Sequence, residues 1–122
     1  MTQWLRVCDV GDIDKEDVIA VKLDGAQYAV YRSPRDEYYA TDAMCTHEKT
    51  PLADGLVMGY VIECPKHNGR FDYRTGAGKG APICVNLTTY PVRVADGVVY
   101  VDVDQDGRSV GTGPERALGD GL

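Results

Sequence analysis

The chain contains two histidines, and each lies within three residues of a cysteine. Cys45-Thr46-His47 is a C-x-H pair and Cys64-Pro65-Lys66-His67 is a C-x-x-H pair, separated by sixteen residues. Thiolate and neutral imidazole both bind iron, zinc and copper. A lone buried cysteine is more often a small hydrophobe than a ligand. Using both histidines in this way, each beside a cysteine, points to a metal.

Two kinds of site use two cysteines and two histidines. A tetrahedral zinc site groups like ligands, with a cysteine knuckle and a separate histidine pair. Here each segment supplies one ligand of each kind. That mixed order suits a binuclear iron–sulfur cluster in which one iron takes both thiolates and the other both imidazoles. Each segment then touches both irons. With two ferric ions, two sulfides and two thiolates the oxidised cluster is formally neutral, and one added electron makes it −1.

Such a site must be held by strands. "TQWLRVCDV" reads as a first strand, "DVIAVKLDGAQYAVYR" as a hairpin turning at Asp24-Gly25, and "DEYYATDA" as a strand that runs into the first pair. "GLVMGYVIECP" gives a strand pair turning near Met58-Gly59-Tyr60 and ending at the second pair, and "RFDY" is short and extended. "RTGAGKGAPIC" has too much glycine and proline for regular structure. "VNLTTYPVRVADGVVYVDV" is a further hairpin turning near Asp96-Gly97. No capped helical period is found. The expected fold is all-β, with both pairs on strand-to-loop transitions at one end of the domain. A single domain over 1–103 is expected, its base formed by 1–42 and 85–103 and a smaller lobe by 43–84. Residues 104–122 lack periodicity and are expected to form a mobile tail.

The whole chain of 122 residues carries a net charge of −6, which disfavours nucleic acid and anionic membranes as partners. No apolar run reaches membrane-spanning length. "MTQWLRVCDVGD" lacks the features of a signal peptide, so a cytoplasmic monomer with reduced thiols is expected. Residues 46–82 hold five Lys/Arg and four Asp/Glu, net +1, which leaves −7 for the remainder. The ligand end is near neutral while the base is acidic. Cys8 and Cys84 are expected to be inert buried thiols, and the tyrosines to line a half-buried sheet surface. "GAGKG" (76–80) lacks the Gly-Lys-Ser/Thr ending of a phosphate loop; its expected work is to cover the cluster.

The two pairs, the run G-x-F-D-x-x-T-G from Gly69 to Gly76, and Gly80-Ala81-Pro82 resemble the Rieske [2Fe-2S] family. Within it the chain resembles the small ferredoxins of bacterial ring-hydroxylating oxygenase systems. The resemblance implies the Rieske fold: an antiparallel sandwich or barrel-like base carrying a small cluster-binding lobe. It implies one cluster held by Cys45, His47, Cys64 and His67, with the thiolates shielded and the imidazoles at the tip. The function implied is one-electron transfer from an NAD(P)H-dependent flavin reductase to a terminal oxygenase. Both histidines are used as ligands, so none remains for a mononuclear iron site, and no dinucleotide fingerprint follows a strand. The chain is therefore expected to be neither oxygenase nor reductase. Two alternatives are a structural zinc-binding interaction module and a fixed small subunit of a larger oxidoreductase complex.

Respiratory members of the family carry an extra cysteine in each ligand loop, joined as a disulfide, and a serine that donates to a cluster sulfide. The cysteine places here are Thr50 and Lys66, and Arg70 lies at or next to the serine place. Fewer donors to the sulfurs stabilise the reduced cluster less. The midpoint potential is therefore expected near the bottom of the Rieske range of about −150 to +300 mV. Potentiometric titration checks this, and a value several hundred millivolts positive would refute it.

Overall fold

The computed structural model describes residues 3–46, 49–66, 69–79 and 86–103. Among them are eleven strands: β1 (Trp4–Asp9), β2 (Asp17–Leu23), β3 (Ala26–Arg32), β4 (Tyr38–Asp42), β5 (Leu56–Met58), β6 (Val61–Glu63), β7 (Arg70–Asp72), β8 (Ala77–Gly78), β9 (Thr89–Tyr90), β10 (Val92–Ala95) and β11 (Val98–Asp102). Helix is confined to single 3-10 turns at Val10–Asp12 and Leu52–Asp54. The strands form three antiparallel sheets, ordered β1-β11-β10, β2-β3-β4-β9 and β5-β6-β7-β8. The all-β expectation is met.

The turns follow their sequences. Asp24 and Gly25 both take positive φ (52° and 86°), as do Asp96 and Gly97 (52° and 76°). Two successive left-handed residues match the right-handed twist of the flanking strands, which is why Asp-Gly closes both hairpins. Gly59, at φ 62°, turns β5 into β6.

The middle sheet is covered on both faces. Along β3, Tyr28 and Val30 join one hydrophobic cluster with Val92, Val99 and Val101. Ala29 and Tyr31 join the other, with Leu52, Val57, Ile62 and Phe71. β4 divides in the same way, Tyr38 and Ala40 against Tyr39. Strand side chains alternate between faces, so a strand buried on both sides shows an unbroken buried run.

This corrects the expected half-buried tyrosine surface. Tyr31 and Tyr73 are fully buried, and Tyr28, Tyr38, Tyr39 and Tyr90 are buried as well. Their hydroxyls reach partners, as buried phenols must: Tyr31 pairs with the Thr41 hydroxyl at 2.8 Å, Tyr38 donates to the Val10 carbonyl at 2.9 Å, and Tyr73 donates to the Gly59 carbonyl.

Two further expectations change. The last hairpin begins at Val92, because Thr89–Tyr90 pair with β4 in the middle sheet. Pro91 lies at the corner where the chain passes from one sheet to another, and its carbonyl accepts from Asp102 N–H at 3.0 Å. Part of the glycine-rich run is regular after all, since Ala77 and Gly78 pair with Asp72 and Phe71. Residues 80–85, including Cys84, and the expected tail 104–122 lie outside the described residues.

Two glycines permit close approaches that position the lobe. A Cβ on Gly55 would stand 2.1 Å from the Glu63 carbonyl oxygen. On Gly76, at φ 83°, it would stand 2.1 Å from that of Leu87. Gly55→Ala and Gly76→Ala should each cost about 2–4 kcal/mol. Gly11→Ala, with nothing within 4 Å, should stay within about 0.5 kcal/mol. Urea unfolding of the three variants measures the difference; equal stabilities would show that the backbone contacts are not constraining.

Candidate metal centre

Each cysteine heads a six-residue segment whose two ends are tied together. The first spans 45–50 between Met44 and Pro51, which pair as an isolated bridge. The second spans 64–69 between Glu63 and Arg70, the last pair of the β6–β7 ladder. In the first, Cys45 N–H donates to the Thr50 carbonyl at 2.9 Å; in the second, Cys64 N–H donates to the Gly69 carbonyl at 2.6 Å. The first residue of each loop is thus tied to its last. Lys49 N–H also donates to the Cys45 carbonyl at 2.9 Å, and Lys49 takes a left-handed φ of 52° to bring the chain back.

Both cysteines are buried and share one hydrophobic cluster with Leu52, Ile62, Phe71 and Leu87. Neither is in a disulfide. Of the four expected ligands the structure therefore brings Cys45 and Cys64 into one core, while His47 and His67 lie outside the described residues. An apolar pocket gives thiolates little solvation, so two soft donors enclosed together fit a metal centre better than they fit free anions. The donor chemistry fits a thiolate-bound cluster.

Cys8 is elsewhere. It is buried in the other hydrophobic cluster, on the far side of the middle sheet. Burial, then the carboxylates of Asp12 and Asp9, push its thiol pKa upward. That keeps it protonated and unreactive.

A raft of four tyrosines supports the cysteines. Tyr31 and Tyr73 stack with ring centroids 4.5 Å apart and planes 1° from parallel. Tyr39 and Tyr60 pack around Tyr73 at 5.6 Å and 6.0 Å. Arg74 lies over the Tyr60 ring at 4.1 Å and pairs with Asp72 at 2.8 Å. Burial works against the Asp72 carboxylate, but hydrogen bonds from Arg74 outweigh it and hold its pKa below the usual value.

A model of the Rieske [2Fe-2S] domain matches residues 3–91. The chain belongs to the Rieske [2Fe-2S] family. It is 40% identical over 101 residues to the ferredoxin component of the naphthalene 1,2-dioxygenase system of Pseudomonas putida, covering 83% of this chain and 96% of that one. The solved structure of a Sphingomonas yanoikuyae B1 ferredoxin superposes with a TM-score of 0.76 at 40% identity, over 82% of this chain and 98% of that one. A chain in the complex of reduced oxygenase and oxidised ferredoxin of carbazole 1,9a-dioxygenase superposes with a TM-score of 0.78 at 39% identity, over 88% of this chain and 95% of that one.

The protein is accordingly a Rieske ferredoxin, an electron-transfer component that carries a [2Fe-2S] cluster and is not itself an oxygenase. The zinc-module alternative is set aside by this membership. Sequence reading located the cysteines and named Thr50 and Gly69, but not their part in closing the loops. Thr50 and Gly69 act through their carbonyls, which leave no mark of their own in a side-chain pattern, and Gly55 matters for the Cβ it lacks.

Proposed function

We propose that Cys45, His47, Cys64 and His67 hold the cluster, and that the protein carries single electrons from a flavin-containing reductase to the terminal oxygenase of a ring-hydroxylating system. The matched pair of loops carries this reading: two six-residue turns, each headed by a buried cysteine, each with a histidine at its third or fourth place in the sequence. When bound, the cluster supplies reversible one-electron chemistry. The apolar surroundings of Cys45 and Cys64 exclude water from the sulfur side. The loop-closing hydrogen bonds fix where each ligand segment begins and ends.

The partners' docking edge belongs at the same loops. The exposed large hydrophobic residues among those described are Met44, at 37% exposure, and Leu56, at 57%. Met44 immediately precedes Cys45, and Leu56 pairs with Glu63, which immediately precedes Cys64. Lys49, Lys66 and Arg70 are exposed around them. Apolar contacts ringed by charge suit a brief, specific encounter. An electron carrier that must leave one protein to meet the next needs a small, weak interface. The domain proper is 1–103 and the working form is a monomer in the cytoplasm. Among the described residues no helix is long and apolar enough to cross a membrane.

Replacing Cys45, His47, Cys64 or His67 by Ala should remove the cluster, while Cys8→Ala should keep about two irons and two acid-labile sulfides per chain. Metal and sulfide assays with electron paramagnetic resonance decide it, and an intact Rieske signal in any of the first four variants would overturn the ligand set.

Lys66→Glu should slow electron transfer to reductase, oxygenase or both by roughly tenfold at low salt, with the visible spectrum unchanged. Asp14→Lys, on the exposed loop before β2, should have little effect. Stopped-flow rates that fall equally for both variants would remove the proposed docking edge.

A further inference from the structure

Asp42 ends β4, three residues before Cys45, and is half-buried. It lines a cavity of about 490 Å³ together with Ala43, Met44, Cys45, Thr46, Lys49 and Gln27. Its carboxylate accepts a hydrogen bond from the hydroxyl of buried Tyr90 at 2.5 Å. Tyr90 is braced edge-on by Tyr28, with centroids 5.1 Å apart and planes 86° apart. The charge is therefore held in place on the wall of a cavity that reaches the first ligand loop. Its field is felt nearby: burial, then the bond to Asp42 and its charge, push the Tyr90 pKa upward. For Tyr28, burial and then the same charge act in the same direction.

Electron uptake makes the cluster one unit more negative. A fixed anion nearby opposes that change and a fixed cation favours it, in proportion to how little water screens them. Asp42 and Lys49 line the same cavity with opposite charges. Lys49 is exposed and well screened, whereas Asp42 is half-buried against Tyr90. The anion has the stronger hold.

We propose that Asp42, fixed by Tyr90 on the wall of the Cys45 cavity, is a potential-setting residue that biases the protein towards its oxidised form, with Lys49 acting more weakly in the opposite direction. This inference rests on the cluster being held at the Cys45 loop. It assigns part of the carrier's driving force to a charge outside the ligand set, and a lower midpoint makes the reduced protein a stronger donor.

The test is spectroelectrochemical titration of the intact, cluster-loaded protein, with iron content and paramagnetic resonance confirming that the cluster is unchanged. Asp42→Asn should raise the midpoint, so that at the wild-type midpoint the reduced-to-oxidised ratio increases at least threefold, about 28 mV at 59 mV per decade for one electron. Lys49→Gln should lower the midpoint by less. Asp14→Asn, an exposed control, should leave it in place. Should Asp42→Asn fail to hold its cluster, Tyr90→Phe decides the matter: it keeps the carboxylate but frees it to turn towards water, and should raise the midpoint by less than Asp42→Asn. An unmoved or lowered midpoint in Asp42→Asn with an intact cluster overturns the proposal, as does an unmoved or lowered one in Tyr90→Phe. A cluster that survives in Cys45→Ala would overturn the ligand reading instead, so the two failures are distinguishable.

Discussion

Two cysteines from distant parts of the chain meet inside one apolar cluster, and much of the remaining architecture serves to bring them there. Cys45 and Cys64 are fully buried, and a thiolate in an apolar pocket is costly unless a cation meets it. The loops that carry them cannot be slack, because a ligand free to move has to be ordered again each time the site forms. Each loop is closed at its root by a hydrogen bond from the cysteine's own N–H, to Thr50 in one and Gly69 in the other. Glycine at 55 lets β5 lie against the Glu63 carbonyl, immediately before Cys64.

Behind the cysteines, the middle sheet works as a two-sided wall. One face packs on the lobe through Tyr31 and Tyr39, and the other on the three-stranded sheet through Tyr28, Val30 and Ala40. This explains why tyrosine dominates the aromatic content. Its ring fills the space between sheets, while its hydroxyl reaches a partner such as Thr41 or Glu37, in contacts of 2.8 Å and 2.6 Å for Tyr31 and Tyr60. Phenylalanine would supply the volume alone.

The sequence was most legible where one residue type has one physical meaning. Both Asp-Gly turns, the Met58–Val61 turn and the strand-to-loop placement of the cysteines could be read directly. What escaped reading depends on a second element. The unbroken apolar run Tyr28–Tyr31 suits a strand covered on both faces, but the layers that cover it come from elements far away in the chain. Ala77–Gly78 becomes a strand because β7 offers a ladder to join, against the local preference of glycine. Thr89–Tyr90 leave their apparent hairpin because β4 has a vacant edge. The Asp42–Tyr90 bond joins residues 48 apart in the chain, and no local pattern can announce it.

The lobe is fixed at the end remote from its two cysteines. Glu16 of the base accepts from Gly59 N–H at 2.7 Å, and Glu37 accepts from the Tyr60 hydroxyl at 2.6 Å. Tyr73 donates to the Gly59 carbonyl. These contacts grip both residues of the turn between β5 and β6, whose other ends lead to Gly55 and Cys64. Three strand residues span about 10 Å, so a displacement of the turn would be carried almost undiminished to the cysteine. Two carboxylates of the base thus anchor the end of the hairpin opposite Cys64. Glu16 adopts a left-handed φ of 58° in doing so, a conformation that costs a non-glycine residue about 1 kcal/mol and persists where surrounding contacts require it. The acidic base seen in the composition is thus partly structural: some of its carboxylates are spent on holding the lobe, and the rest leave the ligand end as the region of least negative charge.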